Sequence, residues 1–123
     1  MDKSAHEEAA ETANDALYEL QGIAAVYTPA GETAKNVTLL VENRGRLSQT
    51  KQGVRTTAHT LRAMVRTSEV EELGRGDTFR LSGESIDFRV IPGSVTNDGL
   101  EWDFEASAEV TKTLGNVDAV PDR

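Results

Sequence analysis

The residue types that most often carry catalysis or bind metals are scarce in this chain. It has no cysteine, which excludes thiolate nucleophiles, thiolate metal sites and disulfide bonds. Its two histidines, His6 and His59, both lack a second histidine four residues further on, which a zinc-binding helix would require. The sequence therefore predicts no enzyme activity of these types, no bound metal and no cofactor.

A row of carboxylates is the best remaining candidate for catalysis. Glu101, Asp103 and Glu105 alternate with Trp102 and Phe104 in a segment that reads as a β-strand. Paired carboxylates can act as the acid and base of a glycosidase. Alternate side chains of a strand point to opposite faces, so the pattern also predicts an acidic solvent face behind an apolar core face. Two rival functions stay open: a small hydrolase using Asp103 or Glu105, and a ligand- or carbohydrate-binding β domain with an exposed Trp102.

Two glycines lie in a polar turn, Gly74-Arg75-Gly76-Asp77. They lack the Gly-x-x-x-x-Gly-Lys arrangement of a phosphate-binding loop and the third glycine of a dinucleotide fingerprint. Arg75-Gly76-Asp77 matches a cell-adhesion tripeptide, but glycine at this position is better explained by the left-handed backbone of a tight turn. The segment predicts a turn that leads into a strand at residues 78–81.

Charge is distributed in three blocks along the chain. The formal net charge is −8, with −6 in residues 1–43, +6 in residues 44–66 and −8 in residues 67–123. An acidic protein is a poor general ligand for nucleic acid, because phosphate repels it. The central bases admit three interpretations: a solvated face, contact with the acidic flanks of a neighbouring copy, or local contact with DNA. These bases are Arg44, Arg46, Lys51, Arg55, Arg62 and Arg66.

An N-terminal helix is predicted over residues 4–21, and residues 1–22 are interpreted as an N-terminal helix or arm. Ser4 and Glu7 form a capping box, and Gly22 is placed to end the helix. The apolar stripe is expected to pack weakly on the rest of the protein, because alanine buries little area. The stripe comprises Ala9, Ala13, Ala16, Leu17 and Leu20.

The rest of the chain is predicted to form one β domain, residues 23–109, followed by a tail at 110–123. Turns every eight to twelve residues favour a small antiparallel β-sandwich or barrel, mainly β, with one short helical turn near residues 68–73. Polar segments 43–53 and 92–99 are expected to be exposed loops. The predicted strands cover residues 23–28, 37–42, 54–65, 78–81, 86–91 and 100–109.

The sequence contains no apolar run long enough to cross a bilayer, and its N-terminus lacks the apolar core of a signal peptide. We therefore expect no contact with a membrane. The expected compartment is the cytoplasm in which the protein is made, unless the protein leaves the cell as part of a particle.

One stretch of the chain combines several unusual neighbours at fixed spacing. It reads Val65-Arg66-Thr67-Ser68-Glu69-Val70-Glu71-Glu72-Leu73-Gly74-Arg75-Gly76-Asp77-Thr78. The motif has an apolar residue before Arg-Thr, an acid-Val pair, a Leu, and Arg-Gly-Asp-Thr leading into a hairpin. With the apolar strand at 86–91 and the polar Asp-Gly loop after it, this stretch resembles the head–tail joining proteins of lambda-type tailed bacteriophages.

The resemblance implies a structural virion protein, made in the bacterial host cytoplasm, and no enzyme. It implies a hexameric homo-oligomeric ring, a head-completion or stopper protein, between the portal-bound adaptor and the tail terminator or tail tube. Genomic double-stranded DNA would pass through the lumen without sequence readout, and the ring would help to retain or gate it. A tail terminator or another phage connector ring stays open as an alternative.

The candidate site residues fall in two groups. The first group is predicted to form the subunit or partner interface, and the second to line or gate the channel. The interface group is Arg44, Arg46, Lys51, Arg55, Arg62, Arg66, Glu69, Glu71, Glu72, Arg75 and Asp77. The channel group is Gly45, Ser48, Gln49, Gln52, Asn97 and Asp98.

Overall fold

The computed structural model describes residues 5–114, and within that range the chain forms one helix and seven strands. None of the described helices is long and apolar enough to span a membrane. The elements are α1 (Ala5–Gln21), β1 (Ile23–Thr28), β2 (Lys35–Lys51), β3 (Val54–Arg66), β4 (Thr78–Leu81), β5 (Phe88–Val90), β6 (Thr96–Asn97) and β7 (Glu101–Thr113).

The strands form a closed antiparallel barrel. The order of pairing is β3-β2-β1-β4-β5-β7-β6, and an additional β3–β7 ladder joins the two sides of the sheet. The longest ladder joins β3 to β7, from Val54↔Thr113 to Arg66↔Glu101. Strand β5 reaches β7 through only two pairs, at Arg89↔Ser107 and Val90↔Ala106. The predicted mainly β barrel with one N-terminal helix is therefore confirmed.

Three aromatic rings occupy the middle of the barrel. The Phe79 ring stacks on Phe104 with centroids 4.8 Å apart and lies 4.9 Å from the Tyr27 ring. Trp102 packs against this core, and its indole N–H donates to the Val70 carbonyl oxygen at 2.8 Å. The prediction that Trp102 belongs to the core side of its strand is confirmed. Side chains with 0% exposure include Leu39, Ala63, Val65, Val70, Phe79, Phe88, Phe104 and Ala106.

A β-bulge in β2 changes which residues of that strand face the core. Leu39 pairs with Val65 on the core side, but the register shifts between Val41 and Asn43, and Arg44 then pairs with the buried Leu61. Residues two apart share a face, so the extra residue moves even-numbered β2 residues to the core side beyond the bulge. This shift was not predicted from the sequence.

Residues 43–53 were predicted as an exposed loop, and this prediction is wrong in its secondary structure. They are exposed except for the half-buried Gly53, but residues 43–51 are strand, paired with β3 as far as Lys51↔Val54. The β7 ladder flanks β3 on its other side, so a three-stranded sheet projects from the barrel. We call this sheet the flap and define it as residues 43–51, 54–60 and 108–113. Its tip is the two-residue turn Gln52-Gly53.

Other predicted boundaries also change. Residues 110–113 of the predicted tail are strand in β7, and residues 115–123 lie outside the described residues. The predicted loop 92–99 contains the short strand β6. The predicted helical turn near 68–73 is reduced to one turn at 67–69, where the Val70 N–H donates to the Arg66 carbonyl oxygen at 3.1 Å.

The predicted helix is present, but its apolar stripe faces away from the barrel. Tyr18 is 1% exposed, whereas Leu17 and Leu20, on other sides of the helix, are 39% and 83% exposed. The three stripe alanines are exposed as well. The expectation that this stripe packs on the β domain is therefore wrong. The predicted cap at Ser4 and Glu7 falls on residues whose side chains are outside the described part of the chain.

Candidate subunit and partner interface

The flap has an inner face that continues the core side of the barrel wall. Leu61 of β3 is buried in the core, and residues two apart in a strand point to the same side. Residues 59, 57 and 55 of β3 therefore lie on the inner face. The ladders place one residue from each outer strand beside each of these. The three cross-strand rows are Arg46–His59–Ala108, Ser48–Thr57–Val110 and Thr50–Arg55–Lys112.

Unpaired positive charge collects on the inner face. Arg44, at the base of the flap, forms a bidentate ion pair with Glu84 at 2.8 and 3.0 Å, which neutralises it. Within residues 5–114, no ion pair is formed by Arg46, Arg55 or Lys112, and the three rows contain no acid. Since Val110 is 42% exposed between these bases, the inner face combines apolar surface with positive charge.

The outer face of the flap is mostly uncharged. Gly45, Gln49 and the exposed Leu47 lie on it, opposite threonines and an alanine of β3. Ser48 lies on the inner face instead, where its hydroxyl is 2.9 Å from that of Thr57. Lys51 is also on the outer side, next to the tip, and forms no ion pair within the described range. The candidate channel residues are therefore divided between the two faces.

The two remaining channel candidates lie at the opposite end of the β3–β7 ladder. Asn97 ends β6 and Asp98 begins the turn into β7, where the Asp98 carboxylate accepts the Glu101 N–H at 2.9 Å. The tip lies beside Thr113, twelve ladder positions away from Glu101. At about 3.3 Å per strand residue, the separation approaches roughly 40 Å. The structure does not bring the two predicted loops together within one subunit.

Arg62 and Arg66 are used inside the chain. Arg62 lies in a group of three carboxylates, with oxygens of Glu42, Asp103 and Glu105 at 3.1, 3.7 and 3.3 Å. This explains Asp103 and Glu105 of the acidic row on β7 as the ion-pair partners of an arginine on the adjacent strand, whereas Glu101 accepts a hydrogen bond from Tyr18. Among the described residues, no cluster of three or more His, Asp or Glu could hold a metal ion.

The C-terminal half of α1 is held by Arg66 and Glu101. The Tyr18 hydroxyl donates to Glu101 Oε2 at 2.7 Å, and the Arg66 guanidinium carbon lies 4.7 Å from the Tyr18 ring centre. Arg66 also pairs with Asp15 at 3.1 Å and with Glu69 at 3.4 Å. Burial, followed by the hydrogen bond to Glu101, raises the pKa of Tyr18 above its ordinary range. Tyr18, supported by the Asp15 ion pair, therefore anchors the helix to the barrel.

Asp77 of the Arg-Gly-Asp turn points inward and holds the turn together. It is 6% exposed and accepts hydrogen bonds from the Tyr27 hydroxyl at 2.7 Å, the Ala30 N–H at 2.9 Å and the Gly74 N–H at 2.9 Å. Gly76 has a φ of 89°, as the turn requires. These contacts account for Asp77 by structure alone, so we leave it out of the proposed interface.

A second charged surface lies beside this turn. An open groove of about 630 Å³ is lined by Glu32, Glu71 and Glu72 together with Lys35 and the buried Asp77. Glu71 and Glu72 are exposed, as is Glu32. Arg75 follows in the adjoining turn; it is exposed and forms no ion pair within residues 5–114. The predicted interface acids Glu71 and Glu72 are therefore available at the surface, whereas Glu69 is engaged by the Thr38 N–H and Arg66.

Fold and surface together define a small β-barrel protein with segregated surface charge and a projecting flap. The chain belongs to the Phage Head-Tail Attachment protein family, whose model matches residues 4–106. No curated protein matches the chain. The family match confirms the resemblance carried by residues 65–78. It makes the protein a structural component of the virion that connects head and tail and interacts with other head and tail proteins.

Proposed function

We propose that copies of this protein form a closed homo-oligomeric ring, a hexamer, between the portal-bound adaptor and the tail. The observation that carries the proposal is the separation of unpaired bases on the inner face of the flap from acids elsewhere on the same chain. A surface that complements a different surface of an identical copy produces a head-to-tail contact, and such contacts form a ring when the rotation between copies closes. Charge complementarity fixes the register between neighbours.

Genomic DNA would pass through the centre of this ring. A formal net charge of −8 disfavours tight binding to phosphate. The outer face of the flap carries Gly45, Gln49 and threonines together with Leu47, and its one base, Lys51, is balanced by one acid, Glu109. A face without net charge suits a channel wall past which DNA moves. Gln52 at the tip is the natural gating position. Asn97 and Asp98, at the other end of the ladder, would then contact an adjacent ring of the neck.

The ligand-binding alternative loses its main support, because Trp102 packs on the core and its indole N–H is used by Val70. Its side chain is not presented as a stacking platform. A tail terminator differs from a stopper in its partner, and co-assembly with purified adaptor or tail tube protein separates the two.

The flap assignment is tested by shortening the flap without disturbing the barrel. Residues 48–57 are replaced by Asn-Gly, which closes a two-residue hairpin on the Leu47↔Ala58 pair. This pair lies four positions from the native closing pair Lys51↔Val54, so it is of the same hydrogen-bonded type that a two-residue turn requires. We expect this variant to keep the near-ultraviolet circular dichroism of the barrel and to fail in joining filled heads to tails. Leu47→Ser serves as the control, because it keeps the length of the flap. Normal joining by the shortened protein would contradict the proposed role.

Ring formation is tested by the mass of the particle. We expect mass measurement by light scattering to show a closed oligomer of defined copy number when the portal–adaptor complex is present. A protein that stays monomeric at all concentrations, with and without that complex, would refute the ring.

A further inference from the structure

We propose that the outward apolar face of α1 in one copy docks on the inner face of the flap of the next copy. This inference rests on the ring proposed above and identifies the two surfaces that meet. It starts from the orientation of α1, whose hydrophobic residues point away from the barrel that they would ordinarily cover.

The outward face of α1 is unusual for a helix of a small domain. Ala9, Ala13, Ala16 and Leu20 recur at helical spacing opposite the buried Tyr18, and Leu20 is 83% exposed. Leu17 adds a second large side chain to this face and is 39% exposed. Amphipathic helices bury their apolar face against a partner, so a surface elsewhere is required.

The charges of α1 select the partner surface. The segment Ala5–Gln21 contains five acids and no lysine or arginine. The inner face of the flap contains Arg46, Arg55 and Lys112 and no acid in its three rows. An acidic helix is attracted to this face, and the long basic side chains can cover its apolar residues with their aliphatic stems.

The inner face also offers apolar area of matching size. Val110 and Ala108 lie along its β7 side, and an open cavity of about 790 Å³ adjoins them. Ile86 adds apolar surface to this cavity, whose lining also includes His59, Arg89, Asp87 and Glu109. The three rows span roughly 13 Å along the strands. The outward face of α1 from Ala9 to Leu20 spans about 16 Å. The helix therefore fits along the flap.

The contact can form only between copies. Within one chain, α1 is anchored to Arg66 on the outer side of β3, since Arg66 lies on the face opposite Leu61 and Val65. His59 is seven residues further along the same strand, roughly 23 Å away, on the opposite face. The helix of a subunit thus cannot reach its own inner face while Tyr18 remains docked.

The acidic groove at Glu71 and Glu72 is the competing partner for the same bases. It supplies negative charge but no exposed large apolar residue to cover Val110. This difference favours α1 as the partner of the inner face. The test therefore also includes a cysteine variant in the acidic groove.

The natural chain has no cysteine, so pairs of single-cysteine variants report contacts between copies. Leu20→Cys protein is mixed with Val110→Cys protein, the mixture is assembled on the portal–adaptor complex, and mild oxidant is added. We expect a disulfide-linked dimer on a non-reducing gel. Leu20→Cys mixed with Leu47→Cys is the matched control, because Leu47 is exposed on the outer face of the same flap, and it should give little dimer.

The outcomes separate the two proposals. A ring in which Glu71→Cys cross-links to Val110→Cys, while Leu20→Cys does not, overturns the α1 contact and leaves the ring standing. Equal cross-linking of Leu20→Cys to both faces of the flap also overturns it. If no oligomer forms in any mixture, the ring itself fails. Each variant is first checked to assemble under reducing conditions as the natural chain does.

Discussion

The Tyr27 hydroxyl donates to the Asp77 carboxylate at 2.7 Å, across 50 residues of sequence. This hydrogen bond ties β1 to the turn before β4, and the same carboxylate holds the Ala30 and Gly74 N–H groups. The Arg-Gly-Asp turn therefore stabilises the barrel. Its aspartate faces inward, where an adhesion motif would need it outward.

Replacing Asp77 with alanine should destabilise the protein strongly. Asp77→Ala removes the acceptor of the Ala30 and Gly74 N–H groups and leaves the Tyr27 hydroxyl with only the Glu72 carbonyl oxygen, at 3.0 Å. We expect a loss of about 3 kcal/mol in the free energy of unfolding. Urea denaturation followed by the fluorescence of Trp102 measures it. Asp87→Ala is the control, because Asp87 pairs with Arg80 on the surface at 2.8 Å and exposed pairs contribute little. Equal effects of the two substitutions would contradict this account.

The two tyrosines should resist ionisation until the protein unfolds. Tyr18 and Tyr27 are the only tyrosines, both are buried, and burial followed by a carboxylate hydrogen bond raises the pKa of each. A pKa that is higher in the folded state contributes stability that is complete below the unfolded pKa near 10 and decreases as pH rises above it. We expect tyrosinate absorbance to appear together with loss of the circular dichroism signal above about pH 10.

Two tyrosine-to-phenylalanine variants test whether ionisation of the tyrosines causes this loss of stability at high pH. Tyr18→Phe and Tyr27→Phe should each make the unfolding free energy less steeply dependent on pH in the alkaline range, since each removes one ionising group. A tyrosinate signal that rises well before unfolding would show that the hydroxyls are exposed to solvent.

Gly22 should be required for docking of the helix. A methyl group at this position would collide with the Thr38 side chain and with the Tyr18 carbonyl oxygen, which accepts the Gly22 N–H at 2.8 Å. We expect Gly22→Ala to displace α1 and to cost about 1–3 kcal/mol. Proteolysis within the first twenty residues reports the displacement. Gly74→Ala is the control, because a methyl group there meets nothing within 4 Å.

The barrel could be predicted from the sequence because it depends on local signals. Alternation around Phe104, turn residues at Gly83 and Gly99, and the apolar stretch of β1 each indicate a strand or turn. The inward placement of Trp102 followed from the same alternation. The presence of α1 followed from its capping residues and helical spacing.

The two faces of the flap could not be predicted, because they depend on ladders between distant segments. Residues 43–51 have little apolar periodicity, and they are strand because β3 pairs with them along their length. The single extra residue near Glu42 then decides that Arg44 and Arg46 face inward. In the same way, the apolar stripe of α1 predicted the helix correctly but predicted the wrong face to pack on the barrel. Tyr18 is buried instead, because Arg66 and Glu101 contact it.

The tip of the flap should become more stable when Gln52 is replaced by asparagine. Gln52 has a φ of 54° and Gly53 a φ of 77°, the two positive values that this hairpin turn requires. Asparagine tolerates this conformation better than glutamine, so Gln52→Asn should gain roughly 0.5 kcal/mol of the ~1–2 kcal/mol that a left-handed residue costs. Slower amide hydrogen exchange in the flap would show the gain, and Gln52→Val should have the opposite effect.

Gln52→Asn also distinguishes two roles of Gln52 in the proposed gate, that of its backbone in the turn and that of its side chain in the channel. If the turn only closes the hairpin, Gln52→Asn keeps or improves the joining of filled heads to tails while exchange slows. If the glutamine side chain itself acts in the channel, joining or DNA retention falls although the flap is firmer. The comparison uses Thr56→Ser as its control, because Thr56 lies opposite Gln49 in the flap and outside the turn.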